Sequence, residues 1–220
     1  MSIVERLLED SKAIWETFYT HPFVQGIGSG SLDHEKFKYY MIQDYLYLID
    51  YAKVFAVGAA KAFDMDTMRE FSAYTDSLMN GEMEIHRGYM MRLGITEEEA
   101  EHCPAALDNI SYTSYMLRIA YEGGPADVMA AILSCALSYE EIACRLKAQY
   151  PGCWEHPFFG EWVSGYISEE YHEANQKLIA LMERLADGFD ERQIARLSEV
   201  FKNCSRYEAA FWDMGWEMKK

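Results

Sequence analysis

Apolar residues recur along almost the whole chain at intervals of three and four, the spacing of one face of an α-helix. Ser2 and Glu5 have the spacing of a capping box and begin the first predicted helix. We predict that this helix ends in a turn at His21-Pro22 and in the glycine-rich stretch 26–30. Strand-type alternation is nearly absent, so the pattern predicts an all-α protein: a single-domain bundle of about eight helices over residues 1–220.

The later helices are delimited by capping residues, glycines and prolines. After the third predicted helix, the acidic stretch that begins at Thr96 is predicted to be a turn. The predicted helices run from Asp33 to about Phe63, from a cap formed by Thr67 and Glu70 to Leu93, from Asn109 to Glu122, from Pro125 to Tyr150, from Phe158 to Ala186 with a break near Gly165–Ser168, and from Asp190 to near the C-terminus.

Two predicted helices carry an acidic residue on their apolar face. Asp44 lies in the middle of a stripe that includes Tyr40, Tyr47 and Tyr51, and Glu208 takes the one missing position of an apolar stripe in the last helix. A buried carboxylate is unfavourable unless it is paired, protonated or needed for chemistry. The residues alone leave two hypotheses open, a structural carboxylate between helices and a functional group in a site.

One of the cysteines could be a reactive thiol. The chain has five cysteines and no CxxC pair, which fits neither a zinc site nor a set of disulfides. The odd count and irregular spacing favour free thiols in a reducing, cytoplasmic compartment. Cys135 and Tyr139 lie one turn apart on an apolar stripe. A buried free cysteine is most often a small, unreactive apolar residue, and spacing does not favour Cys135 over Cys204, which also lies on a stripe.

The charge of the chain restricts its partners. With 36 acidic and 20 basic residues, the formal net charge is −16, which disfavours binding to nucleic acid and to anionic membranes. The N-terminus does not have the pattern of a signal peptide, and no apolar run approaches the length that spans a bilayer. We therefore expect a cytoplasmic protein without nucleic-acid or membrane partners.

A metal site is a weaker hypothesis. Glu82 and His86 lie one turn apart, as do Ser168 and His172. Carboxylate-bridged metal sites in helical bundles use Glu-x-x-His repeats on two helices, and the sequence has no such second repeat. The sequence therefore predicts no metal.

Six segments, taken together, resemble the TenA / thiaminase II family in order and approximate spacing, over nearly the whole chain. Among them, C-A-L-S-Y-E-E-I contains Cys135 and S-R-Y-E-A-A-F-W-D-M contains Glu208. The segments are His21–Ala62, Glu84–Ile95, Asn109–Thr113, Cys135–Ile142, Trp162–Tyr171 and Ser205–Met214.

The resemblance implies a haem-oxygenase-like helical bundle without haem, and usually a homotetramer. It also implies thiaminase II (aminopyrimidine aminohydrolase) activity, which releases hydroxymethylpyrimidine from aminomethylpyrimidine or from thiamin without a metal or an organic cofactor. By position, Cys135 would be the nucleophile, Glu208 the acid/base, and Asp44 the carboxylate that holds the aminopyrimidine edge. The aromatic residues of the pocket would be Tyr47, Tyr51, Tyr112, Tyr139 and Tyr166.

The chain departs from the family pattern beside the cysteine, with Ser134 where the family often has proline and Leu137 where it often has tryptophan. For two of the pocket aromatics the resemblance leaves an alternative residue: Tyr115 in place of Tyr112, and Tyr171 in place of Tyr166.

In the expected mechanism, the Cys135 thiolate adds to a pyrimidine ring carbon. Two other functions remain open: a pyrimidine-binding or regulatory relative without catalysis, and a metal-dependent oxidase on the same bundle.

Overall fold

The computed structural model describes residues 1–219, and its regular elements within that range are helices. There are eleven α-helices rather than about eight, because some predicted segments are divided and two short ones were not predicted. The α-helices are α1 (Ile3–Thr20), α2 (Pro22–Ser29), α3 (His34–Lys61), α4 (Met65–Ser77), α5 (Met83–Arg92), α6 (Glu97–His102), α7 (Leu107–Glu122), α8 (Pro125–Gln149), α9 (Gly160–Tyr166), α10 (Glu169–Leu185) and α11 (Glu191–Glu217), with a π-helical turn at Leu78–Glu82 and a 3-10 turn at Cys153–Glu155.

Several predicted helix ends are confirmed. The Ser2–Glu5 capping box is present, Pro125 is the first residue of α8, and Asp190 caps α11. The predicted break near Gly165–Ser168 separates α9 from α10, where the Ser168 hydroxyl accepts a hydrogen bond from the backbone of α10. These ends were predictable because local capping chemistry determines them.

The glycine-rich stretch after His21 is helix α2, and the prediction of a turn there was wrong. The His21 ring accepts a hydrogen bond from the backbone N–H of Phe23 at 3.2 Å, and Pro22 occupies the first turn, so the helix begins immediately. It ends at Gly30, whose φ of +73° is left-handed. Within the helix, a Cβ on Gly28 would lie 2.5 Å from the Tyr150 ring. This glycine therefore serves close packing and does not end the helix.

The third predicted helix also differs from the prediction. Its N-cap is Asp64, whose carboxylate accepts a hydrogen bond from the backbone N–H of Thr67 at 2.8 Å, so Thr67 and Glu70 do not form the cap. The π-helical turn Leu78–Glu82 then separates α4 from α5. The acidic stretch after Thr96 is the short helix α6, because Thr96 and Glu99 form a capping box.

The long helices α3, α8 and α11 pack against one another at the centre of the bundle, with α1, α7 and α10 around them. One cluster of buried apolar side chains runs through these helices. Asp44 lies on α3, Cys135 on α8 and Glu208 on α11, so the three central helices each contribute one predicted chemical group to the interior. None of the helices within residues 1–219 combines the length and apolar character needed to cross a bilayer.

Candidate active site

The predicted acids are both buried, and the cysteine borders an internal space. Asp44 is 4% exposed and Glu208 is 1% exposed. Cys135 is only half-buried, although Ser134 and Ser138 on either side of it in α8 are fully buried. A side chain that keeps accessible surface deep in a bundle must face a cavity. Cys204, the alternative cysteine, is fully buried in packed core.

The Glu208 carboxylate lies within hydrogen-bonding distance of the Cys135 thiol. The Tyr112 hydroxyl donates a 2.8 Å hydrogen bond to its Oε1 atom. Burial raises the pKa of Glu208 to about 7, and hydrogen bonding by Tyr112 and by the Cys135 thiol opposes that rise. Because this pKa is close to neutral pH, the same side chain can take up and release a proton during a reaction.

The Cys135 thiol is protonated in the resting site. Burial raises its pKa well above the ordinary value, and the negative charge of Glu208 raises it further, while a hydrogen bond with the Tyr47 hydroxyl acts in the opposite direction. The thiolate that we expected to attack is therefore not the resting form. A base must remove the proton as the sulfur reacts, and Glu208 is in position to do so.

Asp44 also favours its protonated form. Burial raises its pKa well above the ordinary value, and the charges of Glu82 and Glu208 raise it further. The Tyr40 hydroxyl donates to Oδ2 of Asp44 at 3.4 Å, and Nε2 of His86 lies 3.5 Å from the same oxygen. Burial lowers the pKa of His86 to about 4, so its ring is neutral and does not offset the negative charge. A protonated carboxyl presents one donor and one acceptor, the complement of an aminopyrimidine edge.

Aromatic rings form the walls between these groups. The rings of Tyr47 and Tyr51 stack with centroids 5.3 Å apart, and Tyr47 lies 5.2 Å from Tyr112. On the α8 side, Tyr139 lies 4.9 Å from Tyr166. The two groups are connected through the rings of Phe211, Tyr40 and Trp212, so all five predicted pocket tyrosines belong to one aromatic cluster, whose faces suit a flat heteroaromatic ring.

The structure distinguishes Tyr112 from its alternative. Both rings contact Tyr207, but the Tyr115 hydroxyl accepts a hydrogen bond from Asn203 at 3.1 Å, whereas the Tyr112 hydroxyl donates to Glu208. The bundle therefore places Tyr112 at the carboxylate and Tyr115 towards the outer side of α11.

Tyr166 and Tyr171 both belong to the cluster. Their rings are 5.0 Å apart and nearly perpendicular, and the Tyr171 hydroxyl donates to the carbonyl oxygen of Ala136 at 3.0 Å. The structure therefore brings the predicted residue and its alternative together, and Tyr171 lies next to the backbone that follows the cysteine.

Two further residues were not predicted as part of the site. The Tyr40 hydroxyl, which donates its proton to Asp44, accepts from the Tyr139 hydroxyl at 3.2 Å and from the Trp162 ring nitrogen at 3.2 Å, which links α3, α8 and α9. The sequence signal for Tyr40 was its position on the same apolar stripe as Asp44.

The second residue that was not predicted as part of the site is Glu82, which was considered only together with His86 as a metal-binding pair. Within residues 1–219, no three or more His, Cys, Asp or Glu side chains are grouped in a way that could hold a metal ion.

The two departures from the family pattern lie away from the cavity. The Ser134 hydroxyl hydrogen-bonds to the Ser205 hydroxyl at 2.9 Å, and the Trp15 ring nitrogen donates to Ser205 at 2.9 Å. Leu137 lies on the other flank of α8, in a surface groove that also includes side chains of α1 and α10. These residues therefore influence helix packing and do not line the pocket.

The fold and this site define an all-helical protein with a thiol and two carboxyl groups around an aromatic cavity. A model of the TENA/THI-4/PQQC family matches residues 8–218. The chain belongs to this family.

Sequence and structural relatives agree with this assignment. The chain is 46% identical over 216 residues to the aminopyrimidine aminohydrolase of Halalkalibacterium halodurans, which covers 98% of this chain and 96% of that protein. A TenA homologue from P. horikoshii OT3 superposes with a TM-score of 0.91 at 31% identity and 99% coverage of both chains. A domain with a heme oxygenase-like fold from Shewanella denitrificans superposes with a TM-score of 0.80 at 13% identity, covering 98% of this chain and 92% of that one. The predicted fold is thereby confirmed.

Proposed function

We propose that this chain is a single-domain aminopyrimidine aminohydrolase. In the proposed reaction, water replaces the amine of an aminomethylpyrimidine, and hydroxymethylpyrimidine and ammonia are released. Thiamin, which carries a thiazolium ring on the same methylene carbon, would be cleaved in the same way. The observation that carries the proposal is the convergence of Cys135, Glu208 and Asp44 on one tyrosine-lined cavity. The name of the H. halodurans relative supports the choice of substrate.

The aminopyrimidine would lie between the tyrosine rings with its polar edge against Asp44. The protonated carboxyl donates to a ring nitrogen and accepts from the exocyclic amine, which orients the ring. Tyr40 donates to the carboxyl from the other side, and the neutral His86 ring, whose Nε2 contacts the Met41 carbonyl oxygen at 3.3 Å, lies 3.5 Å from it. This arrangement fixes the ring so that the carbon beside the substituent arm faces the Cys135 sulfur.

In the first step, the Cys135 thiol gives its proton to ionised Glu208 while a carbon–sulfur bond forms at that ring carbon. The displaced electron pair moves through the ring to the nitrogen, which takes the proton of Asp44. In the second step, the electron pair returns from this nitrogen through the ring and expels the leaving group. A neutral amine takes the proton of Glu208 as it leaves, whereas an ammonium or thiazolium group leaves without one and Glu208 then gives its proton to solvent. The products are ammonia, or the thiazole when thiamin is the substrate, and a ring with an exocyclic methylene group, whose neighbouring ring carbon is still bound to sulfur.

Hydrolysis reverses these steps with water in place of the amine. Glu208 takes a proton from water as its oxygen bonds to the methylene carbon, and the electron pair moves again to the ring nitrogen. The carbon–sulfur bond then breaks, sulfur recovers its proton from Glu208, and the ring nitrogen returns its proton to Asp44. Covalent addition replaces one difficult displacement by easier steps, and the pKa of Glu208 near 7 suits its alternating roles.

Parallel incubation of the purified protein with aminomethylpyrimidine and with thiamin tests the proposal. We expect hydroxymethylpyrimidine from both substrates, with equimolar ammonia from the first. Binding of the pyrimidine without release of product would instead support a non-catalytic, pyrimidine-binding relative. Activity that is lost on chelation and restored by a metal ion would support the oxidase hypothesis.

We also infer that the protein works in the cytoplasm as a homotetramer, without nucleic-acid partners. The five free cysteines are compatible with a reducing compartment, and the net charge of −16 disfavours nucleic acid. Self-association is supported by large apolar side chains that are exposed on the single chain, and light scattering after size exclusion measures the assembly. These side chains include Phe63, Met65, Ile85, Met91, Leu107 and Ile110.

A further inference from the structure

A third acidic side chain, Glu82, borders the cavity and takes no part in the chemistry above. Glu82 is the last residue of the π-helical turn that packs on α3. Leu78 and Met83 beside it are buried, and Glu84 is exposed. A π-helical turn holds one more residue than an α-helical turn, so it rotates the side chains that follow, and such turns are frequent at functional sites.

The neighbours of Glu82 locate its carboxylate. His86, one turn further on the same helical face, approaches Asp44 to 3.5 Å. The negative charge of Glu82 also contributes to the raised pKa of Cys135, after burial, Glu208 and Asp44. The same charge raises the pKa of four side chains on α3, α9 and α10, in agreement with the packing of the turn on α3. These side chains are Asp44, Tyr51, Tyr166 and Tyr171.

Glu82 has no donor of its own within residues 1–219. Asp44 accepts a hydrogen bond from the Tyr40 hydroxyl, and Glu208 accepts one from the Tyr112 hydroxyl. No described side chain or backbone group hydrogen-bonds to Glu82 or forms an ion pair with it. Arg87, the basic residue closest in sequence, pairs with acidic residues on the outside of the bundle. Burial raises the pKa of Glu82 to about 7, so the side chain is partly ionised at neutral pH, and a bound cation would stabilise its ionised form.

We propose that Glu82 binds the positively charged arm of the substrate, the ammonium group of aminomethylpyrimidine or the thiazolium ring of thiamin. This inference rests on the function proposed above. An aliphatic amine is cationic at neutral pH. Asp44 is engaged with the ring edge and Glu208 with the thiol, which leaves Glu82 for the arm. The alcohol product carries no charge, so Glu82 distinguishes substrate from product and favours product release.

The test measures binding without turnover. Cys135→Ser provides the inactive parent, and Glu82→Gln is added to it; aminomethylpyrimidine and hydroxymethylpyrimidine are titrated by calorimetry. We expect Glu82→Gln to weaken binding of the amine by roughly 10- to 100-fold, the usual range for a hydrogen bond to a charged group. Binding of the alcohol should change less than about threefold. Glu84→Gln, an equal loss of charge on the exposed face of α5, should change neither.

The outcomes separate the two proposals. If the parent binds neither pyrimidine, the proposed function fails, and the role of Glu82 fails with it. If the parent binds the amine and Glu82→Gln leaves this affinity intact, or weakens amine and alcohol equally, only the role of Glu82 is wrong. A thermal melt of each variant shows whether the bundle is intact, and a folded Glu82→Gln variant is expected because glutamine keeps the shape of the side chain without its charge.

Discussion

The Tyr112 hydroxyl donates a 2.8 Å hydrogen bond to Oε1 of Glu208, and both side chains are buried between α7 and α11. Burial alone would raise the pKa of Glu208 further, and this donor, together with the Cys135 thiol, holds it at about 7. The tyrosine thus determines how much of Glu208 is ionised at neutral pH. The consequence can be tested without altering the carboxylate.

Tyr112→Phe should shift the acid limb of the kcat/KM profile to higher pH. Glu208 must be ionised to take the Cys135 proton, and loss of the donor raises its pKa above about 7. A rise of about one unit would lower activity at pH 7 by roughly fivefold, because the ionised fraction falls from about one half to about one tenth. Tyr115→Phe is the matched control, because its hydroxyl contacts Asn203 instead. An acid limb that does not move would show that Tyr112 has no influence on the ionisation that matters.

Cys135→Ser should reduce turnover to below a few per cent of wild type while pyrimidine binding persists. A hydroxyl is a far weaker nucleophile than a thiol near neutral pH, and the change hardly alters shape. Steady-state assays and calorimetry on one preparation measure both properties. Cys144→Ser, an exposed position on the same helix, should behave as wild type. Substantial activity in Cys135→Ser would refute the covalent mechanism.

Broken periodicity was sufficient to predict the two buried acids. Asp44 and Glu208 interrupt apolar stripes that proved to be inner faces of α3 and α11. Periodicity could not decide between Cys135 and Cys204, because both lie on apolar stripes. Only the packed bundle shows that one borders a cavity and the other does not, because accessibility in the interior depends on residues remote in sequence. Their chemical roles remain predictions.

Helix α2 and the π-helical turn could not be read from the chain for a related reason. Glycine commonly ends helices, so the glycine-rich stretch after His21 indicated a turn, whereas contact with Tyr150 requires its small size at Gly28. A π-helical turn holds one residue more than an α-helical turn and rotates the side chains after it, which a regular α-helical spacing does not predict. For this reason Glu82 was considered only together with His86 and not with Asp44.

Replacement of Asp44 should separate binding from catalysis. Asp44→Ala removes both contacts to the aminopyrimidine edge, and the affinity should fall by about 1.5–3 kcal/mol. Asp44→Asn still offers a donor and an acceptor, so affinity should largely survive, but no proton can pass to the ring nitrogen and turnover should fall roughly 10²-fold or more. Asp50→Asn is the control, a more accessible acid on α3 that pairs with Lys53. Equal affinity for Asp44→Ala and wild type would indicate a purely structural residue.

Glu208→Gln should lower turnover by roughly 10²- to 10⁴-fold, the usual contribution of a positioned proton donor. If Glu208 were a structural tie between helices, the same change would destabilise the fold, whereas an acid placed in the core for chemistry is itself a source of instability. The pH dependence of stability distinguishes these cases.

The folded pKa of about 7 exceeds the ordinary value of 4.5, so between these values the folded state binds more protons than the unfolded state. The contribution of Glu208 to the free energy of unfolding is therefore neutral below pH 4.5 and becomes unfavourable as pH rises through 7, by up to about 3 kcal/mol. Glutamine does not titrate. Glu208→Gln should thus melt close to wild type at pH 4.5 and above it at pH 8, and exposed Glu199→Gln should show no such difference. A variant that melts below wild type at pH 8 and keeps its activity would contradict the assignment of Glu208 as the acid/base.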